Sequence, residues 1–282
     1  MRAILLLSCI DQRGVVAAVS DFIYRHGGNI IDADEHSDFE ANLFLQRMEW
    51  DLASFEIPRS EIGAAFRPIA ERFSMAWELR FSDAVPRMAL FVSKLDHCLF
   101  DLLWRHRAGE LKAELPFVLS NHEALAPVAA SFGVTFHVHP ISSETKAAQE
   151  AKILERLQAE RIDLVVLARY MQVLGAPLVE AYRNRIINIH HSFLPAFAGG
   201  RPYHQAHARG VKVIGATAHY VSEDLDEGPI IEQDVIRVSH RDSVEDMVRK
   251  GRDLEKVVLA RAVRLHLRHR VLVYGNRTVV FE

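Results

Sequence analysis

Two short stretches combine residue types that can perform chemistry on a carbonyl group. Residues 188–195 read Asn-Ile-His-His-Ser-Phe-Leu-Pro, and residues 225–229 read Leu-Asp-Glu-Gly-Pro. An apolar run ends at His190, so Asn188 and His190 lie two apart on a predicted strand and share one face. An amide beside an imidazole can donate two hydrogen bonds to a developing oxyanion. If the fold brings Asp226 alongside, its carboxylate can fix the protonation of the imidazole and activate a water.

Each of these features also has a purely structural explanation. An Asn-x-His sequence at the end of a strand is often a cap or a turn, and Asp226 before Gly228 and Pro229 is typical of a turn. The two motifs together, in a suitable order of strands and helices, favour the catalytic interpretation. His191 should point away from His190, and we predict a structural role for it.

The bulk composition is that of an ordinary globular protein. Of the 282 residues, 49% are hydrophobic and 25% charged, and the net charge is −3. This charge gives no basic surface for nucleic acid or anionic membranes. The apolar opening, residues 1–9, is too short to span a membrane. The two cysteines, Cys9 and Cys98, fit no redox or zinc motif and indicate a reducing compartment. We expect a cytoplasmic protein.

The first segment alternates strands and helices in the ferredoxin-like order, strand-helix-strand-strand-helix-strand. Residues 82–87, Ser-Asp-Ala-Val-Pro-Arg, form a polar joint that contains a proline. We therefore predict two domains, 1–82 and 83–282.

The second domain shows buried strands separated by helical patterns, which predicts an α/β fold with a doubly wound, mostly parallel sheet. In such sheets ligands bind beyond the carboxyl ends of the strands, where Asn188 and His190 lie. Two later strands, 213–221 and 230–238, should pair around the Asp226 loop. A long helix, 242–269, should precede a hairpin of 271–274 with 278–281.

The fifteen histidines invite a metal interpretation, above all the pairs His137/His139 and His204/His207. No carboxylate or thiol completes a ligand set at a recognisable spacing, so we predict no metal. His97 could face the pocket or be buried and hydrogen-bonded.

The motifs at 188–190 and 215–230 resemble the formyltransferase family, the folate-dependent enzymes that move a formyl group from 10-formyltetrahydrofolate. The resemblance covers about 87–238. It places Asn188, His190 and Asp226 on the family's catalytic positions and implies no cofactor beside the folate.

The resemblance also implies a pterin-binding cleft in the second domain. A plain connection between strand and helix, packed on the core, is the alternative for its first four residues. The implied folate-binding residues are Met171, Gln172, Val173, Leu174, His219 and Val221.

The amino-terminal segment resembles an ACT domain, a module that often binds amino acids. Asp11 and Gly14, with Asn29 and Ile30, match its ligand-loop pattern, although a turn and a helix end explain them equally well. The resemblance implies a homo-oligomer and a possible effector, with glycine or methionine as candidates.

An ACT domain before a formyltransferase domain resembles those relatives that use water and give formate and tetrahydrofolate, which supports purine synthesis and one-carbon balance. Relatives that formylate glycinamide ribonucleotide carry a small-residue phosphate loop after their first strand. Here bulky residues 94–99, with Lys94 as the one possible anion ligand, replace it. Formyl transfer to a small amine is the alternative, and a regulatory folate-binding protein is a third possibility.

Overall fold

The computed structural model describes residues 1–195 and 202–282, without the side chain of Pro202. The described residues form two compact units. The first contains Met1–Ala84 with Arg268–Tyr274 and Val279–Glu282, and the second contains Val85–Leu267 with Gly275–Thr278.

The first unit contains a four-stranded antiparallel sheet in the order β2-β3-β1-β4 with two helices. Its elements are β1 (Arg2–Ile10), α1 (Val15–Arg25), β2 (Asn29–Asp38), β3 (Leu43–Asp51), α2 (Ile62–Arg72) and β4 (Ala76–Phe81). Every second residue of β1, among them Leu5 and Leu7, faces the two helices. These residues form a core with Phe22 and Phe66. The predicted ferredoxin-like order is confirmed.

The other face of this sheet is covered by a hairpin of β12 (Val271–Tyr274) and β13 (Arg277–Val280). Phe281 packs there against Leu6 and Leu45. The sequence-based division, 1–82 and 83–282, assigned all of 271–281 to the second domain. Most of the hairpin joins the first unit instead, because its apolar residues cover a sheet face that α1 and α2 leave open.

The second unit contains a seven-stranded sheet in the order β11-β10-β9-β8-β5-β6-β7. The strands are β5 (Met88–Val92), β6 (Phe117–Ser120), β7 (Thr135–Val138), β8 (Leu164–Leu167), β9 (Ile186–His190), β10 (Val213–Tyr220) and β11 (Ile230–Arg237). Strands β5 to β9 are parallel to one another, and β10 and β11 are antiparallel to their neighbours. The predicted mostly parallel sheet is confirmed.

Helices flank this sheet, and the longest lies last. They are α3 (His97–Arg107), α4 (Ala126–Ser131), α5 (Lys146–Ala159), α6 (Ala176–Ala181), α7 (Pro202–Arg209) and α8 (Val244–Leu267). Helix α8 buries a stripe that includes Leu254, Val258 and Leu259, with Glu255 inside it. No helix among the described residues is long and apolar enough to cross a membrane.

The predicted boundaries need small corrections. The long helix ends at Leu267 rather than 269, and the last strand runs over 277–280 rather than 278–281. The hairpin turn has two residues, Gly275 and Asn276, and Gly275 has a positive φ of 54°. A two-residue turn with a positive φ fits the twist of a hairpin, and it shifts the second strand by one residue.

Candidate active site

The predicted catalytic pair lies at the carboxyl end of β9. His190 is buried and Asn188 is partly buried, two residues earlier on the same strand. In the antiparallel pairing of β9 with β10, Asn188 lies opposite His219 and His190 lies opposite Thr217. Asn188 Nδ2 is 3.2 Å from His219 Nε2. The cross-strand register thus adds a second imidazole to the pair.

Asp226 approaches this pair from the loop between β10 and β11. Its Oδ2 lies 3.1 Å from His190 Nδ1, and its Oδ1 lies 3.6 Å from His219 Nε2. The imidazoles of His190 and His219 beside it hold the pKa of Asp226 well below its usual range. The carboxylate is therefore ionised at neutral pH and bridges both rings.

The loop reaches this position through two unusual backbone conformations. Asp226 itself has a φ of +59°, a region that non-glycine residues seldom adopt. A Cβ at Gly228 would overlap the carbonyl oxygen of Tyr220. Gly228 thus lets the chain fold back over the end of β10, and this brings Asp226 to His190.

The hydrogen bonds define which ring nitrogens carry protons. His219 Nδ1 is 2.9 Å from the carbonyl oxygen of Tyr220, which only accepts, so this nitrogen donates. His190 Nδ1 likewise donates to the Asp226 carboxylate. His190 Nε2 is buried and has no hydrogen-bond partner among the described residues. One imidazole nitrogen is therefore free for a ligand.

These residues lie in a cavity of about 430 Å³, a size typical of small-molecule sites. The structure places the three predicted catalytic residues and the six predicted folate-binding residues on its walls. The nine are Asn188, His190, Asp226, Met171, Gln172, Val173, Leu174, His219 and Val221.

The segment 171–174 is fixed at both of its ends. The backbone N–H of Met171 donates to Ser93 Oγ at 2.9 Å, and that hydroxyl donates to Asn121 Oδ1 at 2.7 Å. The N–H of Gly175 lies 3.1 Å from Glu150 Oε2. The apolar side chains of Met171 and Val173 are exposed at the mouth of the cavity, where a flat aromatic ligand would cover them.

His191 differs from the prediction, because its side chain lines the same cavity as His190. The strand ends at His190, and beyond it the alternation of faces no longer holds. The two rings lie 5.1 Å apart. Burial, with the charges of Arg169 and His190, lowers the pKa of His191 to about 4. His191 is thus neutral at physiological pH.

One of the two histidine pairs considered for metal binding, His137 and His139, has other contacts. His137 Nε2 is 3.2 Å from Arg156 Nη1, and His139 Nδ1 is 3.2 Å from Gln149 Oε1. A different set, His97 with Cys98 and Glu255, has its ligand-type atoms within 4.8 Å of one another. Sequence spacing could not reveal this set, because Glu255 is far along the chain.

In the first unit, the four residues of the predicted effector site form two groups. Asp11 and Gly14 follow the end of β1, and Gly14 begins α1 with a φ of +93°. Asn29 starts β2 and pairs with Asp51, which also pairs with Arg2 at the start of β1. The two groups therefore lie at opposite ends of the sheet within one copy of the unit.

The fold and the cleft are those of a class of proteins that the relatives of this chain identify. Residues 86–263 match the family model described as formyl transferase. A glycinamide ribonucleotide transformylase from Symbiobacterium toebii is 35% identical, with a TM-score of 0.67, over 73% of this chain and 98% of that one.

Two relatives match over the whole length. The formyltetrahydrofolate deformylase of Synechocystis is 59% identical, over 100% of this chain and 99% of the relative. The crystal structure of that enzyme from Pseudomonas syringae is 47% identical, with a TM-score of 0.97, over 100% of this chain and 95% of the other. The chain belongs to the formyltetrahydrofolate deformylase family.

Proposed function

We propose that the protein hydrolyses 10-formyltetrahydrofolate to formate and tetrahydrofolate. The observation that carries this proposal is the group of Asn188, His190 and Asp226 at the end of a cleft of folate size. The full-length likeness to formyltetrahydrofolate deformylases supports the choice of substrate.

In this proposal the pterin enters between the 171–174 segment and the 221–226 loop. The formyl oxygen then accepts a hydrogen bond from Asn188 Nδ2, whose other hydrogen points to His219. His190 in its protonated form donates Nε2–H to the same oxygen. Both donors stabilise the negative charge that develops when the formyl carbon becomes tetrahedral.

Asp226 has two roles in this mechanism. Its carboxylate stabilises the imidazolium form of His190, and it positions the attacking water or takes up its proton. Collapse of the tetrahedral intermediate then breaks the bond to N10, which takes up a proton from His190 or through water. The chain's own residues supply every group that these steps require, so the proposal includes no cofactor.

The decisive experiment measures formate release from 10-formyltetrahydrofolate by the purified protein without added amine. We expect multiple turnovers that Asp226→Asn abolishes, while the variant keeps the circular dichroism and melting temperature of the original protein. Folate binding without formate release would instead favour transfer to an amine.

We also propose that the first unit assembles into a homo-oligomer and senses an amino acid such as glycine or methionine. Strand β2 lies at an edge of its sheet, where a second copy can pair with it. An effector that touches both the Asp11 group and the Asn29 group requires two copies, because one copy holds them at opposite ends of the sheet. The reduced, buried thiols of Cys9 and Cys98 fit a cytoplasmic protein.

A further inference from the structure

A second polar cluster adjoins the catalytic cleft, and the mechanism above does not use it. Its centre is Glu255, which is 1% exposed. Glu255 Oε2 accepts a hydrogen bond from His97 Nε2 at 2.8 Å and lies 3.5 Å from Arg169 Nε. Glu255 Oε1 accepts one from the Tyr203 hydroxyl at 2.9 Å. We call these four residues the Glu255 cluster.

The charges in the Glu255 cluster identify it as an ion-pair network. Burial alone would raise the pKa of Glu255, but His97 and Arg169 outweigh burial and lower it. Burial raises the pKa of the neighbouring Cys98 thiol well above its usual value. A guanidinium therefore already balances the carboxylate, and the thiol stays protonated, which does not suit a metal ion.

The Glu255 cluster separates two cavities. Arg169 lines the catalytic cleft, as does His191, whose ring lies 6.1 Å from the Tyr203 ring. His97 lines a second cavity of about 570 Å³, which shares no described lining residue with the catalytic cleft. Glu255 bonds to residues that face each cavity while it is itself buried, so the cluster forms a wall between them.

We propose that the Glu255 cluster determines the choice of acceptor by closing the route along which an amine would reach the formyl carbon. The inference rests on the proposed hydrolysis and deepens it. An amine acceptor carries substituents that need a path and a site of their own, whereas water needs neither. The cleft with this wall in place therefore admits water and excludes larger nucleophiles.

A variant in which the Glu255 cluster is disrupted should catalyse acyl transfer to the amine. The amine nitrogen attacks the formyl carbon, the bond from that carbon to N10 breaks, and the proton lost by the amine passes to N10. The products are an N-formyl amine and tetrahydrofolate. Asn188 and His190 stabilise the same oxyanion in this reaction as in hydrolysis.

The first test displaces Tyr203 without changing any charge. A Cβ at Gly251 would overlap the Tyr203 hydroxyl, so Gly251→Ala should push this side chain away from Glu255. Gly63→Ala is the matched control, because its Cβ would meet only Trp77 at 3.5 Å, in the first unit. The Arg169→Ala/Glu255→Ala double variant opens the wall further and removes both charges together.

The measurement is the ratio of N-formyl amine to formate produced from 10-formyltetrahydrofolate in the presence of glycinamide. From the original protein and from Gly63→Ala we expect a ratio no higher than that of the uncatalysed reaction, and from the two opened variants a ratio at least about tenfold above that background. Folded, hydrolytically active variants with an unchanged ratio would overturn the proposal. Absence of formate from the original protein would instead overturn the hydrolytic function.

A second test needs no variant and holds even if the opened proteins do not fold. Hydroxylamine, methylamine and glycinamide are offered to the original protein, and the yield of each formylated product is normalised to its uncatalysed rate. We expect interception to fall steeply with the size of the nucleophile. Equal interception by hydroxylamine and glycinamide would show that the Glu255 cluster does not select the acceptor.

Discussion

Two arginines with little exposed side chain, Arg47 in the first unit (2% exposed) and Arg169 in the second (11% exposed), are bonded to very different extents. Arg47 donates from Nε to the His269 carbonyl oxygen at 3.0 Å, and from its two other nitrogens to Asp32 and Glu49 at 2.6 Å each. Arg169 Nε has only the 3.5 Å ion pair with Glu255 and no hydrogen bond among the described residues. The first cluster is satisfied by the fold alone.

The second unit leaves several polar atoms in this incomplete state. His97 Nδ1 and His190 Nε2 are also buried without a hydrogen-bond partner in the described part of the chain. An unsatisfied buried group costs free energy, and such groups persist where a ligand or water completes them. Gln46 Oε1 and Trp50 Nε1 in the first unit are likewise without a partner among the described residues. The contrast therefore concerns particular groups: the bonds of Arg47 hold the structure, whereas His190 Nε2 lies on the catalytic cleft and is available to a substrate.

The largest effect on activity is expected when a side chain of the catalytic cleft is removed. Asn188→Ala deletes an oxyanion donor, so kcat should fall by about 10²–10³. The free energy of unfolding should change little, because in the described part of the chain the Asn188 amide is bonded to a single partner, His219. Formate assays and urea unfolding measure the two quantities, and a large loss of stability with normal turnover would contradict this assignment.

The reverse result is expected for Arg47→Met. The side chain is 2% exposed, and its loss leaves Asp32 and Glu49 partly uncompensated, which should reduce the free energy of unfolding of the first unit by about 3 kcal/mol. The expected loss of stability is no larger because both carboxylates keep one ion pair. Arg270 still pairs with Asp32, and Arg2 still pairs with Glu49.

Formate release per folded molecule should remain close to that of the original protein, since Arg47 belongs to the other unit. Urea unfolding that is unchanged by Arg47→Met would mean that this cluster is dispensable.

Each unit contains a partly buried histidine whose protonation is disfavoured, which predicts a smaller effect on stability with a defined pH window. The pKa values of His191 and His269 are each lowered to about 4, chiefly by burial. Below pH 6.5 the unfolded chain binds a proton at each position, and the folded chain does not until about pH 4. Stability should therefore fall as the pH falls from 6.5 to 4, by at most about 1.4 kcal/mol per pH unit for each histidine.

The variants His191→Gln and His269→Gln test this window separately. Each should flatten the dependence of unfolding free energy on pH between 6.5 and 4, as followed by urea titrations at several pH values. Carboxylates with lowered pKa values also reduce stability as the pH falls below about 5. Each variant is therefore compared with the original protein, in which this carboxylate contribution is the same. A slope that neither variant changes would refute the role of these two rings.

The smallest effect is expected for an exposed ion pair. Arg25 Nε lies 2.8 Å from Asp21 Oδ2, with the two side chains 72% and 51% exposed. Arg25→Ala should change the free energy of unfolding by less than about 0.5 kcal/mol. This variant serves as the reference for Arg47→Met, and a cost similar to that of Arg47→Met would remove the distinction between buried and exposed pairs.

Local patterns in the sequence identified the features that depend on neighbouring residues. The alternation at 186–190 placed Asn188 and His190 on one face, and Gly228 with Pro229 marked the loop that carries Asp226. The order of strands and helices gave both folds. These features could be predicted because strand periodicity and turn chemistry act over a few residues.

Features that depend on distant pairing were not predictable. The contact of His219 with Asn188 arises from the antiparallel register of β9 and β10. Glu255 appears in sequence as one charged residue of an amphipathic helix, yet it is buried among His97, Arg169 and Tyr203. The hairpin of β12 and β13 was found, but an alternating apolar pattern does not identify the sheet that it covers.

The position of that hairpin has a consequence for the order of events during synthesis. Residues 1–84 emerge from the ribosome long before Phe281, which covers Leu6 and Leu45, and before His269, whose carbonyl oxygen receives Arg47 Nε. All of Val85–Leu267 is translated in between. During synthesis one apolar face of the first unit therefore stays uncovered until the last residues are translated. A ribosome stalled within the second unit carries a chain whose first unit is incomplete.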